Sequence, residues 1–530
     1  MAQALASNQL IDQLRRIVGA DYVLDDDASL DLMSHDVLKP GTRVAVVVQP
    51  DNTQQLSELV RAAAAAGYAV VPRGGGMSYT GGYLATAPHT VLVDLRRMNR
   101  VLEINTDDMY VRVECGCTWK ALHDALEDTG YRTPYWGTLS GITATVGGGL
   151  SQNSIFWGSG QFGTCVDSVV GLEVVLADGE VVKTGAGAVP GGSPFFRHYG
   201  PDLTGLFTCD NGALGLKASA TFRLIPQLKA RRYLSFDFES YDRLLPAMSE
   251  ISRQGLAMEC FAFDPCLQAQ RMRRESLAKD VKSLAGVMKA SGSVTGAIKS
   301  GLKVAMAGRG FMDDARYSLH LIVEERVEAA ADACAEQIVA ICSEAGGKQL
   351  DDSIPRILRA NPFTPLNNVV GADGERWAPI HALVPHSRAP SVTAQLEDLV
   401  QREAETIERH KIQVGYLFAT VSTNCFVLEP VFFWPDALEA LHRETVEPAA
   451  QRRFAGFEDN PEAREAVLGL RQAMVDLFAR NSAVHLQVGK TYPLNQIESR
   501  SWQALEDIKA ALDPDLRINP GSLGLGLSND

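Results

Sequence analysis

The stretch Val70-Val71-Pro72-Arg73-Gly74-Gly75-Gly76-Met77-Ser78-Tyr79-Thr80-Gly81-Gly82 constrains this chain more than any other. An apolar strand runs straight into five glycines within nine residues. Glycine lets backbone N–H groups converge with no side chain between them, so a turn of this kind can wrap a diphosphate. No Gly-Lys-Ser/Thr closes it, which excludes a Walker loop, and Tyr79 stands where the third glycine of a G-x-G-x-x-G fingerprint would fall. On its own the segment therefore reads only as a glycine-rich turn.

Its surroundings make it a coherent unit. Residues 43–48 form a buried strand closed by Gln49-Pro50, and Asn52 is placed to cap a helix over 54–66 that stops at Gly67. Strand 68–71 then delivers the turn. Further strands are expected at 90–95, 101–104, 110–114 and 172–176, a helix at 118–127, and a hairpin at Asp178-Gly179. Strand 221–225, stopped by Pro226, closes the first domain. Beyond it the texture changes. Strand 229–238 precedes a mostly helical stretch to about 284, and 287–311 is rich in Ala, Gly, Ser and Lys, in the manner of a surface amphipathic excursion. Strands at 317–324, 377–384, 414–418 and 426–434 alternate with helices at 327–345 and 390–410.

Two further segments accompany the turn. One is Ser140-Gly-Ile-Thr-Ala-Thr145-Val-Gly147-Gly148-Gly149-Leu-Ser151-Gln-Asn153, followed by Trp157-Gly158 and by Val169-Val170. The other is the terminal Ile518-Asn519-Pro520-Gly521. Together the three resemble, in order, the flavin-binding domain of the vanillyl-alcohol oxidase/p-cresol methylhydroxylase (PCMH) superfamily of FAD-linked oxidases, which includes D-lactate dehydrogenases and glycolate oxidases. The resemblance implies an α+β fold with an FAD-binding domain over 1–226, a sheet-based cap or substrate domain over 227–480, and a segment 481–530 returning to the FAD domain. It implies a cofactor site at Pro72, Arg73, Gly74, Gly75, Gly76, Met77, Ser78 and Gly81. The second wall would come from Ser140, Thr145, Gly147, Gly148, Ser151, Asn153 and Gly158, with Val170 toward the adenine and Asn519 toward the ring. Relatives that attach the flavin covalently do so through a histidine in the turn or on the cap strand. Residues 70–83 and 415–441 contain none, so non-covalent FAD is expected.

The segment Val484-His485-Leu486-Gln487-Val488-Gly489-Lys490 resembles the Glu-His-Gly-x-Gly-x-x-Lys stretch of FAD-linked 2-hydroxy-acid dehydrogenases. This makes His485 the first candidate base, since a neutral imidazole suits proton acceptance near pH 7; a core histidine on an apolar strand is the competing reading. The metal ligands of those dehydrogenases are missing: Val484 replaces the glutamate, and Ala419 and Phe426 stand at the two histidine positions. None can hold a hard cation, so no metal is expected. Glu429, isolated in the cap strand Thr423-Asn-Cys-Phe-Val-Leu-Glu429-Pro-Val-Phe-Phe-Trp434, is either a second base or a salt-bridge partner. Tyr135, Trp157, Phe426 and Lys490 are candidate substrate contacts.

Composition sets the remaining bounds. At 530 residues two domains are expected. A net charge of −14 argues against nucleic acid or an anionic membrane as partner. No apolar run approaches the roughly 20 residues of a membrane span. Nine scattered cysteines without a C-x-x-C pair fit a reducing compartment, hence a cytoplasmic location. The expected activity is hydride transfer to FAD from a C–H beside a hydroxyl, on an apolar or aromatic alcohol or hydroxy acid. A metal-free D-lactate/glycolate-type dehydrogenase and a catalytically silent flavoprotein subunit stand as alternatives. The expected partners are a small-molecule substrate and an electron acceptor of unknown identity, with room for a homo-oligomer.

Overall fold

The computed structural model describes residues 2–272 and 316–526, so the excursion at 287–311 lies outside the described residues. The chain divides into two compact units: Met1–Ile155, Thr164–Pro226 and His485–Asp530 form the first, and Phe156–Gly163 with Gln227–Val484 form the second.

In the first unit β1 (Val23–Leu24), β2 (Val46–Val48), β3 (Ala69–Arg73) and β4 (Thr90–Asp94) make a sheet in the order β1-β2-β4-β3, with β2, β4 and β3 parallel. Such strands are buried on both faces and read as continuous apolar runs, as Val46-Val47-Val48 does. The crossover is the helix Thr53–Ala65, whose Leu56, Leu59, Val60 and Ala63 pack into one core with Val46, Val70 and Val91. Asn52 caps it as expected, its side chain accepting from Gln55 N at 3.0 Å. A second, antiparallel sheet runs β5-β6-β10-β8-β9, from β5 (Val101–Asn105), β6 (Tyr110–Glu114), β8 (Val169–Val175), β9 (Val181–Lys183) and β10 (Leu216–Arg223). β7 (Tyr131–Arg132) and β11 (Ile225–Pro226) pair as a short ribbon. The returning C-terminal segment is stitched to β3: Val70 N donates to Arg517 O at 2.8 Å and Asn519 N to Val70 O at 2.9 Å.

The second unit is one antiparallel sheet with helices. β12 (Ala230–Phe238), β13 (Glu259–Phe263), β14 (Tyr317–Glu325), β15 (Lys348–Leu350), β16 (Arg376–Pro379), β17 (Ala382–Val384), β18 (Gln413–Val421) and β19 (Cys425–Trp434) give the order β15-β12-β14-β13-β18-β19-β16, with β17 also on β19. Two expectations change here. β13 falls inside a stretch read as helical, because all five of its residues are buried and it shows no alternation. The expected strand at 377–384 is two strands, interrupted at Ile380-His381. Residues 156–163, expected in the first domain, pack within the second unit: Gly158 N donates to Glu259, Ser422 N donates to Ser159 O at 2.9 Å, and the Phe156 ring lies 5.6 Å from that of Phe261. Among the described residues no helix is long and apolar enough to cross a membrane.

Candidate cofactor and active site

Within the first unit the turn after β3 and the loop before the helix Val146–Gln152 border a half-open cavity. Its wall includes Pro72 through Ser78, Ser140, Thr145, Gly147, Gly148 and Ser151, all expected from the sequence. Gly81, Asn153, Val170 and Asn519 are not among its lining residues, and Gly158 lies in the second unit. Tyr83, Trp119, Gln152, Asn211, Lys217 and Gln487 line it without having been expected.

The glycines are there because two backbones touch. A Cβ on Gly75 would collide with the carbonyl of Thr143, and one on Gly74 with Thr145 Oγ1. Gly76 turns the chain at φ +72°, and a Cβ there would strike the Arg73 guanidinium. Arg73 is 3% exposed, and its Nε and Nη1 have no hydrogen-bond acceptor. Buried N–H groups are nearly always satisfied, so a cation left with open donors at a glycine-lined cavity fits an anionic group such as the diphosphate of FAD. Lys217 also reaches the wall, paired at 2.5 Å with the equally buried Asp210.

The C-terminal segment supplies a second cluster. The His485 ring lies flat on that of Tyr492, with centroids 3.8 Å apart and planes at 6°. Gln487, held at φ +46°, donates to the Tyr79 hydroxyl at 3.0 Å and reaches the cavity wall. Lys490 points elsewhere. Its Nζ donates to Leu84 O and, at 3.0 Å, to Asn519 Oδ1, while Asn519 Nδ2 donates to Gly82 O and Asn211 O at 2.9 and 2.8 Å. Burial pushes the Lys490 pKa down to about 8. Lys490 and Asn519 thus brace the glycine turn from behind.

In the second unit the alternation of β18 and β19 sorts the remaining candidates. Glu429 pairs with Leu417, and Leu417 with Phe263 on β13, so the three share one sheet face. Burial drives the Glu429 carboxyl up to about 7, against an attraction from Arg271 that lowers it. Phe426 pairs with Thr420 and occupies the opposite face, fully buried with its ring edge-on to His386. Ala419 faces Val427 instead, so Ala419 and Phe426 do not converge. Trp157 is fully buried and donates through Nε1 to Pro362 O at 3.0 Å. Tyr135, in the first unit, is equally buried, its hydroxyl 2.9 Å from Ser154 Oγ and its ring edge-on to Trp119. Three of the four substrate candidates are thus packed side chains, and the fourth, Lys490, is bonded to the turn. Among the described residues no group of three or more His, Cys, Asp or Glu is arranged to hold a metal ion.

Comparison with known proteins agrees with this geometry. Residues 44–185 match a family described as an FAD binding domain. The chain is similar to the glycolate oxidase subunit GlcD of Bacillus subtilis, 29% identical over 241 residues that make up 45% of this chain and 50% of that protein. It is also similar to the mitochondrial D-lactate dehydrogenase [cytochrome] 1 of Saccharomyces cerevisiae, 26% identical over 258 residues, 47% of this chain and 42% of that one. The chain spans about half the length of the curated relatives it matches. Among solved structures, p-cresol methylhydroxylase with substrate bound superposes with a TM-score of 0.73 at 17% identity, covering 99% of this chain and 98% of that chain, a likeness of fold.

Proposed function

We propose that the chain, whose residues 44–185 match an FAD binding domain, belongs to the PCMH-type FAD-linked oxidase superfamily and is an FAD-dependent oxidoreductase oxidising a C–H beside a hydroxyl of an apolar or aromatic alcohol or hydroxy acid. The observation that carries the reading is the glycine-lined cavity with a buried, unsatisfied Arg73 in its wall. When bound, FAD supplies the hydride acceptor. Arg73 and the N–H groups of residues 74–78 would hold its diphosphate, and residues 145–148 would form the facing wall. The absence of histidine at the usual linkage positions supports non-covalent attachment.

His485 is the proposed base, receiving the hydroxyl proton as the C–H bond breaks. Flat stacking on Tyr492 fixes the imidazole plane. Glu429 is the second candidate, because a carboxyl brought to about 7 by burial can exchange a proton near neutrality. All nine cysteines are free thiols, which supports the cytoplasm as the location.

His485→Ala tests the assignment. It should keep FAD and its absorption spectrum while slowing anaerobic flavin reduction by about 10²–10⁴-fold. Reduction at the wild-type rate would make His485 a packing residue and turn attention to Glu429.

A further inference from the structure

Gln487 holds a backbone conformation that glutamine disfavours. Its φ is +46°, in the left-handed region where a Cβ crowds the backbone and glycine is the usual occupant. Two residues on, at φ +57°, the chain does use glycine, and a Cβ on Gly489 would strike the Thr80 carbonyl. Strain of this kind persists where the surroundings hold it and the side chain does something glycine cannot. The hold on Gln487 is double. Its backbone N donates to Gln152 O at 2.8 Å, and its Nε2 donates at 3.0 Å to the hydroxyl of Tyr79, a buried residue of the glycine turn.

Three side-chain amides line the cavity: Gln152, Asn211 and Gln487. The first two are committed within the protein. Gln152 Nε2 donates to Asn211 Oδ1, and Gln152 Oε1 accepts from Thr80 Oγ1 at 3.4 Å. Asn211 Nδ2 donates to Gly82 O at 3.0 Å and to Ser522 Oγ. Gln487 uses one of its two side-chain N–H groups, and among the described residues its carbonyl oxygen receives no hydrogen bond. It therefore presents an acceptor and a donor side by side at the cavity wall.

We propose that the Gln487 amide recognises the flavin ring of FAD through the imide edge of that ring, where an N–H donor sits beside carbonyl acceptors. A carboxamide matches an imide with two parallel hydrogen bonds, one donated and one accepted, whereas a diphosphate has no donor for the amide oxygen. Adenine also carries a donor beside an acceptor. Gln487 lies two residues from His485, the proposed base, which favours the ring, the part of the cofactor at which that base must act. The inference rests on the reading of the chain as a flavoprotein.

The test titrates the full-length chain, freed of its flavin, with FAD, FAD methylated at the imide nitrogen, and ADP. Flavin fluorescence quenching reads the first two and calorimetry the third. The wild type should bind FAD at least tenfold more tightly than the methylated form, which has lost the donor. Gln487→Gly should weaken FAD by about 5–50-fold, abolish the preference over the methylated form and leave ADP unchanged. Because glycine suits φ +46°, the flavin-free variant should unfold at a temperature no lower than the wild type. A purely structural role would lower that temperature and leave the preference intact, which overturns the proposal. So does loss of ADP affinity in step with FAD, which would assign the amide to adenine. If Gln487→Gly does not fold, Gln487→Leu, which keeps the bulk without the amide, is held to the same affinity outcomes. Equal binding of the two flavins by the wild type defeats this inference alone, and binding of neither defeats the flavoprotein reading together with it.

Discussion

Gly75→Ala is the smallest change that tests the cradle. The added Cβ would meet the Thr143 carbonyl, a backbone atom that no side-chain rotation can move aside. Comfortable contact begins at about 3.5 Å, so the two loops would have to part by roughly 1 Å. Overpacking of that kind costs about 1–3 kcal/mol. The cavity wall is the structure that moves, so FAD affinity should fall by about 5- to 150-fold, since each 1.4 kcal/mol is tenfold. Gly469→Ala is the control. It sits within the helix Pro461–Arg480 with nothing near the position of its Cβ, and it should be neutral or gain about 0.5–1 kcal/mol from helix propensity. FAD fluorescence quenching on titration into apoprotein measures the affinity, and thermal unfolding of both apo variants separates loss of the site from loss of the fold. A Gly75→Ala protein that binds FAD like the wild type would refute the argument that backbone contact between the two loops builds the site.

Two further outcomes follow from the same structure. The Glu429 carboxyl lies near 4.5 when unfolded and about 7 when folded. Its cost to stability is therefore absent below about pH 4.5, grows through that window and is complete above about pH 7. Glu429→Gln should be more stable than wild type by about 3 kcal/mol at pH 8 and equal to it at pH 4, as read by denaturant titration; a gain of the same size at both values would sink the assignment. Acid or heat denaturation should release the flavin into the supernatant, whereas fluorescence that migrates with the denatured polypeptide on a gel would contradict non-covalent attachment.

The cofactor half of the site was legible because its residues lie in two short, glycine-dense segments whose order survives in the sequence. Glycine runs such as Gly74–Gly76 and Gly147–Gly149 have few uses other than close backbone approach, and the cavity forms where they meet. Lys217 and Asn211 escaped notice because a lysine amid an apolar strand and an asparagine in a loop carry no local signal; both reach the wall only through the pairing of β10 and the fold of the loop before it. The cap was harder for a related reason. Phe426 and Glu429 are three residues apart on one strand, and period-two alternation puts them on opposite faces. Only the registers of β13, β18 and β19 show that Glu429 keeps company with Leu417 and Phe263, and that Arg271 overlooks them. β13 does not stand out as a strand in the sequence, because a strand buried on both faces has no period to read.

The proposed reaction carries hydride from a hydroxyl-bearing carbon onto bound FAD. Anaerobic mixing of the purified flavoprotein with a panel of apolar alcohols, aromatic alcohols and hydroxy acids, followed by flavin absorbance, measures that step without any need to know the electron acceptor. At least one compound should bleach the oxidised flavin band, with a rate that saturates in substrate and falls in His485→Ala. A flavin that stays oxidised with every member of the panel, yet is reduced at once by dithionite, would contradict it.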